Sequence, residues 1–254
     1  MIESLTDIQT PSGNMDAFIT YPEEGGPHPA VLVLMDIWGL REEFFDIARK
    51  IAVVGYYCIV PNFYYRQGRV RFEFRDDRGR MKSFAAISEA EQQRIQEQMR
   101  LLTDDMAMDD IGTLLRFLRT QPALDGPKGC IGYCLGGRYV FQAAATYPDD
   151  FRAGASMHGA RLMTDAPLSP HRLADRCRGE IYCGFGEHDR HTSADVRLAL
   201  ETAYGASGAV SYRSIVHKGA MHGYALPDRD VYDKAAANRD WEKIFAMYRR
   251  TLGR

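Results

Sequence analysis

The sequence lacks the features typical of membrane-spanning, secreted and nucleic-acid-binding proteins. None of its apolar runs is long enough to span a membrane, and its opening residues, Met1 to Ser4, lack the basic-then-apolar order of a secretory signal. The formal net charge is only -2, which provides no general attraction to nucleic acid or to acidic lipid. We therefore expect a cytoplasmic protein whose partners include neither nucleic acid nor membrane.

Cysteine is scarce and irregularly spaced. The five cysteines are an odd number without a repeating interval, so a disulfide framework is not expected. Away from position 134 we interpret them as structural thiols, at Cys58, Cys130, Cys177 and Cys183. His188 and His191 lie near Cys183 and suggest a metal, but no second cluster supports one. We expect neither a metal nor another cofactor.

Short apolar runs alternate with amphipathic stretches along most of the chain, and its 254 residues suit a single domain. Residues 5–21 read as a hairpin. Strands are predicted at 30–35, 57–60, 153–157, 181–185 and 210–216, with one more ending at Ile131. The first two are expected to be buried, and 210–216 has an alternating pattern. Helices are predicted at 40–54, 105–119, 139–147, 194–206 and 231–252. Short joints imply parallel pairing, so the predicted fold class is α/β, a doubly wound, mostly parallel sheet with an N-terminal antiparallel hairpin.

Residues 62–104 interrupt this alternation after the second parallel strand. Residues 66–82 carry seven basic side chains against three acidic ones, and residues 88–102 read as a polar helix. We interpret 62–104 as an insertion within the single domain 1–254. It is either a cap or lid over a site, or a solvated excursion that touches no substrate.

The stretch Gly132-Tyr-Cys-Leu-Gly-Gly137 lies between a predicted strand and an Ala-rich helix. A strand that turns sharply into a helix with a reactive side chain at the turn is a nucleophile elbow. The flanking glycines allow close backbone approach, and the positive end of the helix would favour a thiolate at Cys134. The alternative is a tight turn around a buried, inert cysteine.

Polar side chains follow the predicted strands at Asp36, Cys134, His158, Asp189 and His222. The carboxyl ends of parallel strands share one edge of a sheet, so these side chains should lie close together. A cysteine nucleophile needs a base and a group that orients the base. The order Cys134, Asp189, His222 supplies them as the α/β-hydrolase fold does, and predicts that fold.

Several roles in this site remain open between alternatives. Glu187 and Asp195 compete with Asp189 as the acid. His158 either faces the site or belongs to a simple turn. Trp38 and Tyr133 are expected to wall the site. An oxyanion hole needs two backbone N–H groups, and the natural donors are those of Ile37 and Leu135.

Four segments together resemble the dienelactone hydrolase family of cysteine α/β-hydrolases. They are Met35-Asp-Ile-Trp-Gly-Leu40, the Gly-Tyr-Cys-Leu-Gly-Gly elbow, Gly186-Glu-His-Asp189 and Gly219-Ala-Met-His-Gly-Tyr224. The resemblance implies a Cys134–His222–Asp189 triad that hydrolyses a lactone or ester through an acyl-enzyme. It also implies that the N–H groups of Ile37 and Leu135 form the oxyanion hole.

The sequence departs from the family pattern at two positions. Asp36 stands where the best-known members have a glutamate that helps to generate the thiolate, and Leu226 stands where they have a substrate-binding arginine. The nearest basic residue downstream is Arg229. We predict that an arginine of the insertion recognises a substrate carboxylate instead, from among Arg66, Arg69, Arg71, Arg75 and Arg78.

The sequence therefore favours a hydrolase whose partner is a small lactone or ester, anionic if an arginine contacts it. Two other functions remain open. The chain is also compatible with a catalytically silent scaffold that binds a ligand or protein, or that senses redox state through Cys134. An enzyme acting on a thioester or an amide-like acyl group is the third possibility. Nothing in the sequence indicates the oligomeric state.

Overall fold

The computed structural model describes residues 1–253, which form an eight-stranded sheet with helices on both faces. The strands are β1 (Ile2–Thr10), β2 (Gly13–Tyr21), β3 (Ala30–Leu34), β4 (Tyr57–Pro61), β5 (Lys128–Tyr133), β6 (Phe151–Met157), β7 (Gly179–Gly186) and β8 (Val210–His217). The helices are α1 (Glu42–Ala52), α2 (Glu89–Leu101), α3 (Asp104–Leu118), α4 (Leu135–Thr146), α5 (Ala194–Ala206) and α6 (Lys234–Tyr248).

The strand order across the sheet is β1-β2-β4-β3-β5-β6-β7-β8. The β1–β2 and β2–β4 pairs are antiparallel, and all pairs from β4 to β8 are parallel. The predicted α/β class, with its N-terminal hairpin and mostly parallel sheet, is confirmed. The carboxyl ends of β3, β5, β6, β7 and β8 consequently lie along one edge of the sheet, as this topology requires.

The central strands are buried on both faces, which explains their continuous apolar sequences. Every residue of β3 and β4 is buried. Helix α1 packs against both strands, α4 packs against β3, and α3 packs against α4 and β1. The amphipathic α1 turns Phe44, Ile47 and Ile51 inward. No helix in the described range 1–253 is both long and apolar enough to cross a membrane.

The last helix begins later than predicted, because a capping side chain sets its first residue. The last helix was expected over 231–252, but α6 begins at Lys234 because the Asp233 side chain accepts a hydrogen bond from the Ala236 N–H. After Tyr248 the chain continues as a π-helical turn, Arg249–Gly253. Residues 161–178 hold two short 3-10 helices, at Pro170–Arg172 and Ala174–Arg176.

The segment 62–104, which we predicted to be an insertion, follows β4 in the chain. It contains 3-10 turns at Tyr65–Gln67 and Phe84–Ala86, and then α2, whose Ser88 and Glu91 form a capping box. Ile95 is the residue that α2 buries. The insertion therefore packs mainly through the loop before α2, and its role as a lid stays a prediction.

Candidate active site

Cys134 occupies the sharp turn between β5 and α4. Its φ of 53° and ψ of −110° are rarely adopted by residues other than glycine. Hydrogen bonds on both sides fix the turn: the Cys134 N–H donates to Met157 O at 3.1 Å, and its carbonyl accepts from Gly137 at 3.1 Å and Ala160 at 2.9 Å. The surrounding backbone thus holds Cys134 in a strained conformation at the start of a helix, as in a nucleophile elbow.

Two glycines make this turn possible because the backbones on either side of it nearly touch. A Cβ at Gly132 would overlap the carbonyl oxygen of Gly136, and a Cβ at Gly136 would overlap that of Leu34 in β3. Glycine at these positions lets α4 start directly against the ends of the strands. The Cys134 side chain, in a residue 7% exposed, lies at that junction.

His222 and Asp189 form a part-buried hydrogen-bonded pair. His222 lies in the loop after β8, and Asp189 lies in the turn after β7. The His222 Nδ1 donates to Asp189 Oδ2 at 2.8 Å. The other carboxylate oxygen accepts from the His191 N–H at 2.8 Å, which fixes the orientation of the carboxylate. Glu187, one of the two rival acids, instead accepts from the Gly219 N–H at 2.8 Å.

The electrostatic surroundings of His222 favour its protonated form. Burial lowers the pKa of the imidazole, but the negative charge of Cys134 and the hydrogen bond to Asp189 outweigh this effect and raise the pKa above its ordinary value. The His222 Nε2 has no hydrogen-bond partner among residues 1–253. That nitrogen is therefore available to exchange a proton with Cys134 or with a bound molecule.

The turn after β3 is fixed by Asp36. The Asp36 Oδ1 accepts from the Trp38 N–H at 2.9 Å, and the Asp36 carbonyl accepts from Gly39 at 3.3 Å. The Ile37 N–H makes no such bond within residues 1–253. The Tyr64 hydroxyl, from the insertion, donates to the Ile37 carbonyl at 3.1 Å. These contacts orient the peptide groups that were predicted to contribute to an oxyanion hole.

Asp36 is completely buried and paired with Arg41. The guanidinium donates to both carboxylate oxygens, at 2.8 and 3.0 Å, and also to Asp228 at 2.6 Å. Such a two-pronged pair compensates the buried charge of Asp36. The bonds of Asp36 to the turn and to Arg41 account for a structural role.

His158 is fully buried beside the catalytic candidates. Its ring centroid lies 5.0 Å from that of His222 and 5.7 Å from that of Tyr133, the second predicted wall residue. Burial and the neighbouring positive charges of His222 and Arg229 hold the pKa of His158 well below its ordinary value. Neither ring nitrogen has a partner in the described part of the chain. His158 is therefore a neutral packing neighbour of His222.

His188 and His191 do not converge on a common point. His188 lies beside Glu187, with 3.8 Å between the Nε2 and Oε2 atoms. The His191 ring packs on His222 with a centroid distance of 4.5 Å, a contact that the sequence did not indicate. Within residues 1–253, no group of three or more His, Cys, Asp or Glu side chains is arranged to hold a metal ion.

The dienelactone hydrolase family model matches residues 15–252, nearly the whole chain. The chain belongs to the dienelactone hydrolase family. It is 26% identical to a candidate carboxymethylenebutenolidase of Methylorubrum extorquens over 98% of this chain and 81% of that protein. It is 23% identical to the carboxymethylenebutenolidase of Rhodococcus opacus, over 98% and 92% of the two chains.

Solved structures agree with this membership at the level of the fold. The crystal structure of a candidate dienelactone hydrolase from Klebsiella pneumoniae has a TM-score of 0.83 and 23% identity, covering 97% of this chain and 98% of that one. The chain thus has the α/β-hydrolase fold of a dienelactone hydrolase family member and is a hydrolase of that family.

The arginines of the insertion, which we expected to replace the missing family arginine, are engaged by neighbouring groups in several cases. Arg66 donates to both oxygens of the buried Asp110, at 2.7 and 2.9 Å. Arg69 and Arg71 lie near Asp16, and Arg75 donates to the Gly79 carbonyl at 2.8 Å. A substrate-binding role for any of them, or for Arg78, stays a prediction that would require them to leave or share these partners.

Arg229 is buried beside Trp38 and Asp36, a position that the sequence did not predict. Its guanidinium carbon lies 5.3 Å from the centroid of the Trp38 ring, and its Nη1 lies 4.0 Å from Asp36 Oδ2. The residue is only 4% exposed, and its Nε has no partner among residues 1–253. Position Leu226, where the family pattern has arginine, is fully buried. Arg229, three residues farther along, brings a guanidinium close to Asp36 and Trp38.

The insertion is fastened to the segment that carries Arg229. The Met81 N–H donates to Asp228 O at 2.7 Å, and the Asp230 N–H donates to Met81 O at 3.1 Å. The Ser83 hydroxyl also donates to the Asp230 carboxylate at 2.7 Å. The signal for this connection was absent from the sequence, because the two segments lie far apart in the chain. The position of Arg229 therefore depends on the folded insertion.

Proposed function

We propose that this hydrolase cleaves a small lactone or carboxylic ester through a Cys134–His222–Asp189 triad. The observation that carries the proposal is the part-buried His222–Asp189 hydrogen bond of 2.8 Å, with the charge of Cys134 raising the pKa of the same imidazole. A nucleophile, a base and an orienting carboxylate are the parts that acyl transfer through cysteine needs.

The reaction begins with attack of the Cys134 sulfur on the substrate carbonyl carbon. The carbonyl oxygen becomes an oxyanion, which the N–H groups of Ile37 and Leu135 stabilise by hydrogen bonds. The Leu135 N–H is suited to this because it is the first of α4, and the first N–H groups of a helix have no partner within it. Collapse of the intermediate breaks the bond from carbon to the leaving oxygen and forms a thioester on Cys134.

Protons pass through His222 in both halves of the reaction. Its Nε2 gives a proton to the leaving oxygen, which in a lactone remains part of the same acyl chain. His222 then takes a proton from water, whose oxygen attacks the thioester and releases the carboxylic acid and Cys134. Asp189 keeps the imidazole in the tautomer and orientation that these transfers require.

The substrate that fits this site best is one with a negative charge near the reacting carbonyl. Arg229 supports this inference because its buried guanidinium has an unused Nε and stacks on Trp38, next to the turn that carries Ile37. A buried arginine without a full set of partners gains strongly from a carboxylate, which accepts two of its hydrogen bonds. A lactone or ester that bears a carboxylate is therefore the proposed substrate class.

The experiment that tests the proposed function is steady-state hydrolysis of a panel of lactones and esters by the wild type and by Cys134→Ala. We expect hydrolysis by the wild type and its loss in the variant, with a mass increase on Cys134 when a slow ester is trapped. No hydrolysis of any member of the panel, or full activity of Cys134→Ala, would overturn the triad.

The same measurements separate the other readings of the chain. Reversible oxidation of Cys134 without acylation would support a redox sensor. Turnover of thioesters or amides in preference to oxygen esters would keep the triad and change the bond that is cleaved. The His222–Asp189 hydrogen bond and the raised pKa of His222, to which the charge of Cys134 contributes, support the ester hydrolase over the silent scaffold.

A further inference from the structure

A buried carboxylate binds residues on either side of His222 in the chain and has no part in the proposed chemistry. It belongs to Asp240 in α6, which is 1% exposed. The other buried residues of this fully described helix are uncharged, and they are Ala236, Ala237, Trp241, Ile244, Met247 and Tyr248. A lone charged side chain on the apolar face of a helix needs a specific set of partners to be tolerated.

Three side chains bind the Asp240 carboxylate. Its Oδ1 accepts from the Tyr182 hydroxyl at 2.6 Å and from the His217 Nε2 at 2.7 Å. Its Oδ2 accepts from the Tyr224 hydroxyl at 2.7 Å. All three partners are buried. The carboxylate is thus surrounded by donors, and it fixes the side chains of three separate segments at one point.

Two of these segments lie on either side of His222 in the chain. His217 is the last residue of β8, and Tyr224 follows His222 by two positions. β8 is the edge strand of the sheet, so β7 is its strand neighbour on one side and the sheet ends on the other. A loop that leaves an edge strand has support from one neighbouring strand end only. Asp240 supplies support from the helix behind it.

The cluster also reaches His222 through packing. Gly184 in β7 has no side chain, and a Cβ there would overlap the Tyr224 hydroxyl. Its carbonyl accepts from the His158 N–H at 2.8 Å. The rings of Tyr224 and His158 meet edge to face at 5.7 Å, and His158 meets His222 in the same way at 5.0 Å. A continuous series of contacts therefore leads from Asp240 through Tyr224 and His158 to His222.

We infer that Asp240 is a positioning residue, which holds the chain on both sides of His222 so that the imidazole faces Cys134. This inference rests on the proposed triad, since it concerns the orientation of His222. Tyr224 and His217 transmit the constraint, whereas Tyr182 binds the same carboxylate from β7, outside the stretch between His217 and Tyr224. Tyr182 therefore serves as the control residue for Tyr224, because both hydroxyls donate to the Asp240 carboxylate.

The test compares Tyr224→Phe with Tyr182→Phe. Each variant removes one buried hydroxyl that donates to Asp240, so the two should lose similar amounts of thermal stability. The kcat of Tyr224→Phe should fall about tenfold or more with KM changed about twofold or less, because a small displacement of a catalytic base lowers the rate strongly. Tyr182→Phe should retain kcat within about twofold of wild type.

A second readout reports the Cys134–His222 pair without turnover. The rate of alkylation of Cys134 by iodoacetamide, with the site assigned by mass spectrometry, should fall in Tyr224→Phe and not in Tyr182→Phe. Equal losses of kcat in the two variants would show that the cluster acts through stability alone and would overturn the inference. Unchanged kcat and alkylation in Tyr224→Phe would also overturn it.

The failure of this inference is distinguishable from failure of the proposed function. Cys134→Ala decides whether the triad exists, and it leaves the Asp240 cluster untouched. If Cys134→Ala abolishes hydrolysis while Tyr224→Phe retains full kcat, the triad stands and the positioning role of Asp240 is refuted. Asp240→Asn serves as a further variant, and the two tyrosine variants decide the matter even if it does not fold.

Discussion

The first prediction concerns Glu43, a carboxyl group behind the Asp36–Arg41 pair. Glu43 lies in the first turn of α1, and its Oε2 accepts from the Asp228 N–H at 3.0 Å. Burial raises the pKa of Glu43, the charge of Asp228 raises it further, and Arg41 only partly opposes them, so that the pKa lies at about 7. Glu43 should therefore change its charge near neutrality in the folded protein.

The consequence for stability follows from the difference between the folded and unfolded states. In the unfolded chain the pKa returns to 4.5, and a shift to about 7 corresponds to at most about 3.5 kcal/mol at about 1.4 kcal/mol per pKa unit. The folded state binds this proton more tightly. The stabilisation is thus fully present below the unfolded pKa and is lost as the pH rises through the folded pKa of about 7.

Glu43→Gln isolates this effect because the amide oxygen can still accept the Asp228 N–H while no charge forms. We expect the free energy of unfolding of the variant, relative to wild type, to increase between about pH 5 and about pH 8 by up to about 3 kcal/mol. The measurement is urea unfolding at a series of pH values. Glu42→Gln, at an exposed neighbour in the same helix, should leave the pH dependence unchanged. Parallel stability curves for wild type and Glu43→Gln would refute the reasoning.

Two further predictions concern substrate charge and the elbow. Arg229→Met should raise the KM for a carboxylate-bearing ester about ten- to hundredfold and leave the KM for its neutral analogue nearly unchanged. Arg66→Met is the matched control. A larger increase in the KM for the anionic substrate in Arg66→Met than in Arg229→Met would show that Arg66 binds the substrate carboxylate instead. Gly136→Ala should lower both activity and melting temperature, because its Cβ would overlap the Leu34 carbonyl oxygen. Gly205→Ala is the comparison, since a Cβ at this helical position meets nothing within 4 Å, and it should not destabilise the protein.

The sheet and the elbow were predictable because the information for them is local. The uninterrupted apolar stretch at β3 can be satisfied only by burial on both faces, and the short joints leave little choice of connection. The positive φ of Cys134 follows from the glycines around it, which the sequence displays directly. Chain order then brings Cys134, Asp189 and His222 to one edge of the sheet.

The side-chain partners within the site were not predictable, because they join residues far apart in the chain. Arg41 binds Asp36 five positions away, but it also binds Asp228, which is 187 positions away. Arg66 was a plausible substrate ligand by composition, yet Asp110 in α3, outside the insertion, lies within its reach. Charge alone cannot tell a free arginine from a paired one. The distances between folded segments decide it.

The three buried acidic side chains near the candidate site differ in the groups that compensate their charges, and their roles differ accordingly. Asp36 is neutralised by Arg41, so it can be buried permanently and fix the turn that carries Ile37. Asp240 is surrounded by two hydroxyls and an imidazole, which suits a static anchor. Asp189 has no arginine. Its buried carboxylate instead faces His222, where a positive charge appears only when the imidazole is protonated. The stabilising effect of Asp189 therefore changes with the protonation of His222, which is what a catalytic partner of that imidazole requires.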